Sequence, residues 1–269
     1  MTGRHLGVRE DTLLKQRRII PLTKILAIVV VLIVSFSCQA LSGAEKSSQI
    51  FIDFNGAIEK TGLPKPWRLR VNNGKAQVTV LQQQEENILH LRCENASFSL
   101  ERAVSVSPEE HPFVTWSWKA MQLPSSGDVR RKSLNDQGLQ ILLAFEDRKI
   151  ISYVWDANAP EGTVTDESLG WPFNISVKVI VVQSGTDRSN EWITHTRDMY
   201  QDYRNLFSEK PPSLKGLRIQ ANTQYTQDFA EGMIRGITFS RKDTGLSSQS
   251  YTAQAFHIPR KSNQPIKGE

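Results

Sequence analysis

Apolar residues recur mainly at every second position from Gln49 onward, and this period constrains the fold more than any other feature of the chain. Successive side chains of a strand point to opposite faces, so such alternation predicts strands with one buried face. The apolar segments are short, and turns rich in glycine, proline and charged residues separate them. The pattern predicts an all-β fold, an antiparallel β-sandwich or jelly roll of roughly ten to twelve strands.

Two apolar runs, Leu139–Phe145 and Ile150–Trp155, are separated by four charged residues that predict a tight turn. We expect a β-hairpin at the centre of a sheet, because apolar residues occupy both faces of the first run. In an antiparallel hairpin the first strand starts beside the point where the second ends. Asp136 and Asp156 are therefore expected at one rim, where the following loop, ending at Thr163, also presents polar groups.

A further apolar run, Phe173–Gln183, is nearly continuous and predicts another central strand that is covered on both faces. One short helix is predicted at Arg197–Phe207, where large apolar and aromatic residues fall on one helical face. We expect Thr196 to cap this helix and Pro211 and Pro212 to end it.

The positive charge is concentrated at the start of the chain. The formal net charge is +5, but six of the 33 basic and two of the 28 acidic residues lie within residues 1–44, which leaves 27 against 26 and a net of +1. No basic stripe remains to neutralise phosphates, so the distribution argues against a nucleic-acid partner.

Residues 1–44 have the parts of a secretory signal peptide. Basic residues precede an apolar run, Ile25–Phe36, that is shorter than the roughly 20 residues of a spanning helix. Ser42 and Ala44 fit a small-x-small cleavage pattern, so Glu45 would begin the mature chain. Alternatives are a lipoprotein attached through Cys38, although the preceding residues make a poor lipobox, and an uncut N-terminal membrane anchor.

Each of these alternatives predicts an exported protein, periplasmic or anchored to the inner membrane by its N-terminal segment. The sandwich domain is predicted at 48–241, and the polar segment 242–269 is predicted to be a disordered tail. Cleavage leaves Cys93 as the one cysteine, and the five histidines are scattered. We therefore expect no internal disulfide, no metal site and no cofactor.

A polar loop of about 14 residues, Gln122–Asn135, leads into the hairpin, and loops of this length in compact domains are usually functional or disordered. Arg130, Arg131 and Lys132 form either an anion clamp or a solvated run of charge. Asp136 and Asp156 are either a carboxylate pair for glycan chemistry or acids that hold the fold together.

The order and spacing of several motifs resemble the DUF3047 family of bacterial exported proteins, to which no function is assigned. The likeness runs from about Phe51 to Phe239. The motifs are Trp116-Ser-Trp-Lys119, Leu123-Pro124, Arg130-Arg131, Asp136-Gln137, Tyr153-Val-Trp-Asp156, Pro160, Gly162-Thr163, Val181-Val-Gln-Ser-Gly185, Trp192, Arg197-Asp198, Asp202-Tyr-Arg204, Phe207 and Pro211-Pro212.

The resemblance implies a further feature that this chain lacks. Members of the family tend to carry an acidic Asp-x-Asp-Asn-Thr loop, whereas the matching stretch here is Asn222-Thr-Gln-Tyr-Thr226. The loss of two carboxylates makes a calcium role doubtful. The segment from Phe51 to Trp67 also looks like the first strand of carbohydrate-binding-module or galactose-binding-like sandwiches, which is an analogy of fold only.

The leading hypothesis is a non-catalytic envelope protein that binds a glycan or another polar ligand at one rim of the sandwich. One alternative is a glycan hydrolase or lyase that uses Asp136 or Asp156. Another is a structural protein that holds a protein partner through its sheet edges or the Tyr200 and Tyr203 face of the helix. The candidate ligand-binding residues are Arg130, Arg131, Asp136, Gln137, Asp156, Thr163 and Arg197.

Overall fold

Two β-sheets packed face to face make up most of the computed structural model, which describes residues 48–60, 62–170 and 172–241. The strands are β1 (Gln49–Ile52), β2 (Arg68–Asn73), β3 (Gln77–Gln83), β4 (Glu86–Glu94), β5 (Ser97–Val106), β6 (Phe113–Gln122), β7 (Leu139–Phe145), β8 (Lys149–Asp156), β9 (Val164–Asp166), β10 (Ser176–Ser184), β11 (Ile193–Asp198), β12 (Leu214–Asn222) and β13 (Phe229–Ser240). A three-residue 3-10 turn, Lys132–Leu134, and the helix α1 (Met199–Phe207) complete the described elements.

The six-stranded sheet has the order β11-β6-β13-β4-β3, and β1 pairs with the C-terminal end of β13. The seven-stranded sheet has the order β2-β5-β12-β7-β8-β10-β9. This arrangement confirms the β-sandwich class and the central position of the hairpin formed by β7 and β8.

Aromatic side chains fill the space between the sheets. Trp116 and Trp118, which lie two apart on β6, are 1% and 0% exposed. The ring of Trp116 stacks on that of Tyr153 at 5.2 Å between centroids, and Trp118 lies 6.0 Å from Trp155. Residues two apart on a strand share a face, so β6 and β8 each direct a pair of large rings into the core.

The order of the strands departs from the expected pattern at β10. This strand runs parallel to β8, because the chain first forms the short strand β9 and then returns between β8 and β9. It begins at Ser176, later than the apolar run predicts. Phe173 is 61% exposed, and Asn174 has a positive φ that turns the chain before the strand starts. The edge strands β2 and β9 were not predicted, because one is mostly exposed and the other has three residues.

The helix begins later than predicted, at Met199, and its N-cap is Asp198 instead of Thr196. The Asp198 carboxylate accepts the backbone N–H of Gln201 at 2.9 Å. Thr196 belongs to β11, where its hydroxyl pairs with that of Thr115 at 2.9 Å. The strand ladder therefore extends to the residue before the helix, and its pairing overrides the capping preference of the threonine.

Buried polar contacts fix α1 against the seven-stranded sheet. Asp202 accepts the Tyr153 hydroxyl at 2.8 Å and the Nε of Arg197 at 2.9 Å. Tyr203 is fully buried, donates to Asp147 and packs on Phe145 at 4.7 Å between ring centroids. The Tyr203 side of the helix therefore faces the core and is not presented to a partner protein.

Segments 1–44 and 242–269 lie outside the described residues, so the leader and the tail stay predictions. Within the described part of the chain, no helix is long and apolar enough to cross a membrane.

We expect Asp202→Ala to lower the free energy of unfolding by about 3–5 kcal/mol, since it removes the carboxylate that compensates the buried charge of Arg197. Asp198→Ala removes only a helix cap and should cost about 1 kcal/mol. Urea denaturation followed by tryptophan fluorescence measures both. Equal losses for the two variants would contradict the buried-pair account.

Candidate functional site

The outer face of the seven-stranded sheet divides into a polar half and an apolar half. On one half of β5 and β12 the side chains that alternate with the core residues are polar, and Ser99, Gln220 and Gln140 of β7 form one cross-strand row. Farther along β7 the outward residues are Leu142 and Ala144. On β8 and β10 the outward side chains include Val154, Ser152 and Val179, which are 1%, 1% and 2% exposed. The second half therefore needs a cover, and two loops supply it.

Val129 and Ala159 provide that cover. They pack with Val154, Val179 and Val181 into a small cluster separate from the main core. Val129 comes from the loop before β7, and Ala159 comes from the loop after β8. Burial of these side chains ties both loops to the sheet, so they form a fixed wall beside the polar half.

The Asp156 carboxylate fastens this wall. It is fully buried, and its Oδ1 accepts the backbone N–H groups of Asn158 and Ala159 at 2.8 and 2.6 Å. Its Oδ2 accepts the N–H of Val129 at 2.9 Å. Burial raises the pKa of Asp156, while the three backbone donors favour its charged form. One carboxylate thus joins the end of β8 to both covering loops.

Asp136 fastens a different loop, the one between β12 and β13. It is 1% exposed, and its Oδ2 accepts the backbone N–H of Tyr225 at 2.8 Å and that of Thr226 at 2.6 Å. The Thr226 hydroxyl donates to the same oxygen at 2.8 Å. The Oδ1 atom accepts the Nδ2 of Asn222 at 2.9 Å. The carboxylate therefore sets the position of Tyr225, whose side chain is 53% exposed.

Asn222, the last residue of β12, lies at the centre of a hydrogen-bonded network of side-chain amides that joins β12 to β7 and to the loop before β7. Its Oδ1 accepts the side-chain N–H of Gln140 and the backbone N–H of Gln137, and its Nδ2 also donates to the carbonyl of Asn135 at 2.8 Å. Gln137 donates from Nε2 to the Oδ1 of Asn135 at 2.7 Å. The first residue of the Asn-Thr-Gln-Tyr-Thr loop thus acts through its amide as both donor and acceptor, which a carboxylate cannot do.

These elements enclose a groove of about 290 Å³ on the polar half of the face. Its lining consists almost wholly of amide, hydroxyl and phenol side chains. The lining residues are Asn72, Ser97, Asn135, Gln137, Gln140, Glu167, Gln220, Asn222, Gln224 and Tyr225.

Glu167 is the one carboxylate among the described residues that line the groove. Its Oε1 accepts the Nδ2 of Asn135 at 2.6 Å. Burial raises its pKa, and the negative charge of Asp166 adds to that effect. The groove therefore contains an acid whose charged form is disfavoured by its surroundings.

The structure brings some of the sequence-predicted residues together and separates others. Asp136 and Asp156 lie at the same end of the hairpin, as its register requires, but each carboxylate holds its own loop. Gln137 lines the groove. Arg197 contacts Asp202 at the helix, and Thr163 pairs through its backbone with Val181 at 3.0 Å.

The arginines of the loop before β7 are anchored by Asp128. Arg130 donates to both oxygens of that carboxylate at 2.8 Å, which lowers the pKa of Asp128. Arg131 lies 3.7 Å from it, and its side chain is 70% exposed. Arg130 also donates to the carbonyl of Asn158 at 3.3 Å, so it adds to the joint between the two covering loops.

Sequence reasoning missed Gln140, Gln220, Asn222, Glu167 and Tyr225. One signal was present in the sequence: Gln140 interrupts an otherwise apolar strand, and Arg218, Gln220 and Asn222 alternate along β12. Polar residues on two neighbouring strands indicate a polar surface where they share a face of the sheet. Their pairing, however, depends on the long-range register of β12 with β7, which the sequence does not contain. Among the described residues, no group of acids, histidines and cysteines has the arrangement of a metal site.

Asp156→Asn should destabilise the protein by about 1–3 kcal/mol, because an amide nitrogen would then face a backbone N–H that has lost its acceptor. Equilibrium urea unfolding gives the change in the free energy of unfolding. Ser184→Ala, which removes a hydroxyl bond to the carbonyl of Ala159 on the same loop, is the control with a smaller loss. An unchanged free energy of unfolding in Asp156→Asn would contradict the conclusion that this carboxylate joins β8 to both covering loops.

Glu167→Gln tests the raised pKa of the groove acid. In the unfolded chain this carboxyl loses its proton at a lower pH than in the folded one, so wild-type stability falls as the pH rises from the unfolded pKa through the folded pKa. The neutral amide of the variant keeps an acceptor oxygen for Asn135 and escapes this loss. We expect the variant to gain stability relative to wild type between about pH 4 and pH 7, measured by urea unfolding across that range.

The neighbouring Asp166 is a control of opposite sign. Burial alone would raise its pKa, but the bond from Lys178 outweighs it and lowers the pKa to about 2. Asp166→Asn should therefore destabilise the protein at neutral pH, and the loss should disappear as the pH falls towards 2. Identical pH profiles for the two variants would contradict the assignment of Glu167 as the raised group.

Residues 65–238 match the model of a family described as "Protein of unknown function (DUF3047)", which confirms the resemblance. No curated protein matches the chain.

Several solved structures share the β-sandwich architecture at low similarity. The family 11 carbohydrate-binding module of cellulase Lic26A-Cel5E of Clostridium thermocellum has 8% identity and a TM-score of 0.38, over 71% of this chain and 94% of that one. The xyloglucanase domain of NopAA from Sinorhizobium fredii has 9% identity and a TM-score of 0.43, over 65% and 92%. Cellulose induced protein Cip1 has 12% identity and a TM-score of 0.37, over 72% and 97%. These scores are below 0.5, and no property of those proteins transfers to this chain on that basis.

Proposed function

The chain belongs to the DUF3047 family, and from the groove it carries we propose that it is an exported cell-envelope protein that binds a glycan without catalysis. The ligand lies on the polar half of the seven-stranded sheet. This position is next to the rim that the sequence indicates, and the two rim carboxylates shape the site instead of contacting the ligand.

The chemistry of the groove lining is the observation that carries this proposal. Gln220 and Gln224, both partly exposed, offer amides that both donate and accept, which is what adjacent sugar hydroxyls require. Gln140, which is 5% exposed, lines the floor of the groove and is held there by its bond to Asn222. Tyr225 adds a half-exposed aromatic ring at the rim, where the C–H face of a sugar can pack on it. An apolar ligand would find little to cover here, because the outward valines of β8 and β10 are already covered by Val129 and Ala159.

The distribution of carboxylates favours binding over hydrolysis. Glycoside hydrolysis uses two carboxyl groups on opposite sides of the scissile bond. Within the described lining the groove offers Glu167 alone. Asp136 and Asp156 are 1% and 0% exposed and already accept several backbone N–H groups, so neither reaches a ligand in this conformation.

Export is the other part of the proposal. It is supported by the basic residues and the short apolar run within residues 1–44, followed by small residues at Ser42 and Ala44. Expression of the full chain in a Gram-negative host, followed by fractionation and N-terminal sequencing, should give an envelope protein that starts at Glu45. An intact N-terminus in the cytosolic fraction would contradict it.

The glycan site is tested with Gln220→Ala and Tyr225→Ala in affinity electrophoresis through gels that contain peptidoglycan fragments, capsule or lipopolysaccharide. Each variant should weaken retention by about tenfold or more, because each removes a direct ligand contact. Phe51→Ala is a matched control, since Phe51 is 56% exposed on β1 of the other sheet.

Equal retention of Tyr225→Ala and Phe51→Ala would place the ligand outside the groove. Absence of retention of the wild-type protein by every glycan would reject the proposed function itself. Thermal unfolding of each variant confirms that lost retention does not reflect a lost fold.

A further inference from the structure

The groove lies beside an arginine bank, defined here as Arg68, Arg70 and Arg218. All three side chains project from the outer face of the seven-stranded sheet, because they alternate with the core-facing Leu69, Leu217 and Ile219. Glu101, on the strand between them, is the opposing charge: it lies 2.7 Å from Arg218 and 4.0 Å from Arg70. Three cations against one anion leave this bank with a formal excess of two positive charges.

The strand register connects the bank to the groove. Arg70 is paired with Ser99, Ser99 with Gln220, and Gln220 with Gln140. Arg70 therefore lies in the same row as the two glutamines of the groove, two strands and about 10 Å from Gln220. Arg218 precedes Gln220 by two residues on β12, about 7 Å along the same face.

The charges of the bank are available to a ligand. The side chain of Arg70 is 64% exposed, and that of Arg218 is 33% exposed although it is paired. The other side of the groove carries two further exposed cations, which the lining carboxylate Glu167 opposes. The loop that supplies Asn135 also carries Arg131 and Lys132, both exposed, against the single carboxylate of Asp128.

Resting on the proposed function, we infer that the ligand is an acidic polysaccharide, whose anionic groups lie on the arginine bank while its hydroxyls occupy the amide groove. A neutral glycan would make no use of the two positive charges that the bank carries in excess of Glu101. A compact anion such as free phosphate would use the bank but not the row of amides beside it. A polymer that carries carboxylate, sulfate or phosphate groups on a sugar backbone uses both.

The experiment compares polymers that differ in charge but share a backbone. Affinity electrophoresis uses polygalacturonate against its methyl ester, carboxymethylcellulose against hydroxyethylcellulose, and dextran sulfate against dextran. In at least one pair the wild-type protein should bind the anionic member about tenfold more tightly at low salt, and this preference should decline as salt rises. The pair that responds identifies the anionic group as carboxylate or sulfate, and phosphorylated mannan against mannan tests phosphate.

The variant is Arg70→Gln with Arg218→Gln, which keeps side-chain bulk and removes two charges. It should reduce the preference for the anionic member to less than about threefold, since exposed charges act chiefly through the local field. The matched control is Arg92→Gln with Lys119→Gln, which removes two charges from the outer face of the other sheet. That control should keep the wild-type preference.

The outcomes separate this inference from the function on which it rests. Equal binding of both members of every pair, with loss in Gln220→Ala, keeps the glycan site and overturns the acidic ligand. Binding of the anionic polymers that needs the arginines but survives Gln220→Ala and Tyr225→Ala indicates charge attraction alone. That result overturns the proposed glycan site as well as the inference of an acidic polysaccharide. Single-stranded oligothymidylate serves as a nucleic-acid probe in the same assay. If it binds more tightly than every acidic glycan, the inference is also overturned. A preference that survives the arginine double variant overturns it as well.

Discussion

Two buried carboxylates hold the loops that border the groove on the outer face of the seven-stranded sheet. Asp156 ties the loops that carry Val129 and Ala159 to the end of β8, and Asp136 ties the loop that carries Tyr225 to the start of β7. Each carboxylate is buried, and its hydrogen-bond partners are N–H groups together with, at Asp136, the hydroxyl of Thr226. One half of the sheet's outer face is polar, and the loops that these two carboxylates hold lie beside it. Asp156 bonds directly to both covering loops, while Ser184 and Val181 of β10 hold the second of these loops alone.

The same constraint explains why the rim acids are poor candidates for chemistry. An acid that accepts two or more backbone N–H groups in the interior is held in one place and has few lone pairs left for a ligand. The polar groups left for a ligand are side-chain amides on the strands, together with a single acid, Glu167, whose surroundings disfavour its charged form. The described lining of the groove thus offers hydrogen-bonding groups suited to hydroxyls, and it lacks the paired carboxyls that glycoside cleavage requires.

Much of the fold could be predicted from the sequence, because local alternation specifies strands wherever one face is buried. The runs at β5 and β7 have the bounds that the pattern predicts, and the hairpin of β7 and β8 lies at the centre of its sheet. On the edge strand β2 the alternation covers only residues 68–71 and most residues are exposed, so the pattern is too short to distinguish a strand from a loop. The position of β10 between β8 and β9, parallel to β8, depends on long-range strand pairing that local alternation does not specify.

The site was predicted less completely than the fold. The sequence places Asp136 and Asp156 at one rim, but it does not show that their partners are backbone N–H groups. The groove arises where β2, β5, β12 and β7 meet, and these strands lie far apart along the chain.

The central claim is that the amide row on the outer face of the seven-stranded sheet contacts the ligand. The most direct measurement is a nuclear magnetic resonance titration that follows the side-chain amide groups of the 15N-labelled protein as oligosaccharides from peptidoglycan, capsule and lipopolysaccharide are added. The account predicts that the side-chain resonances of Gln140, Gln220 and Gln224 and the backbone resonance of Tyr225 shift together with one binding isotherm. Shifts confined to a different surface, such as the depression lined by Pro108, Pro112 and Gln201 beside α1, would contradict it.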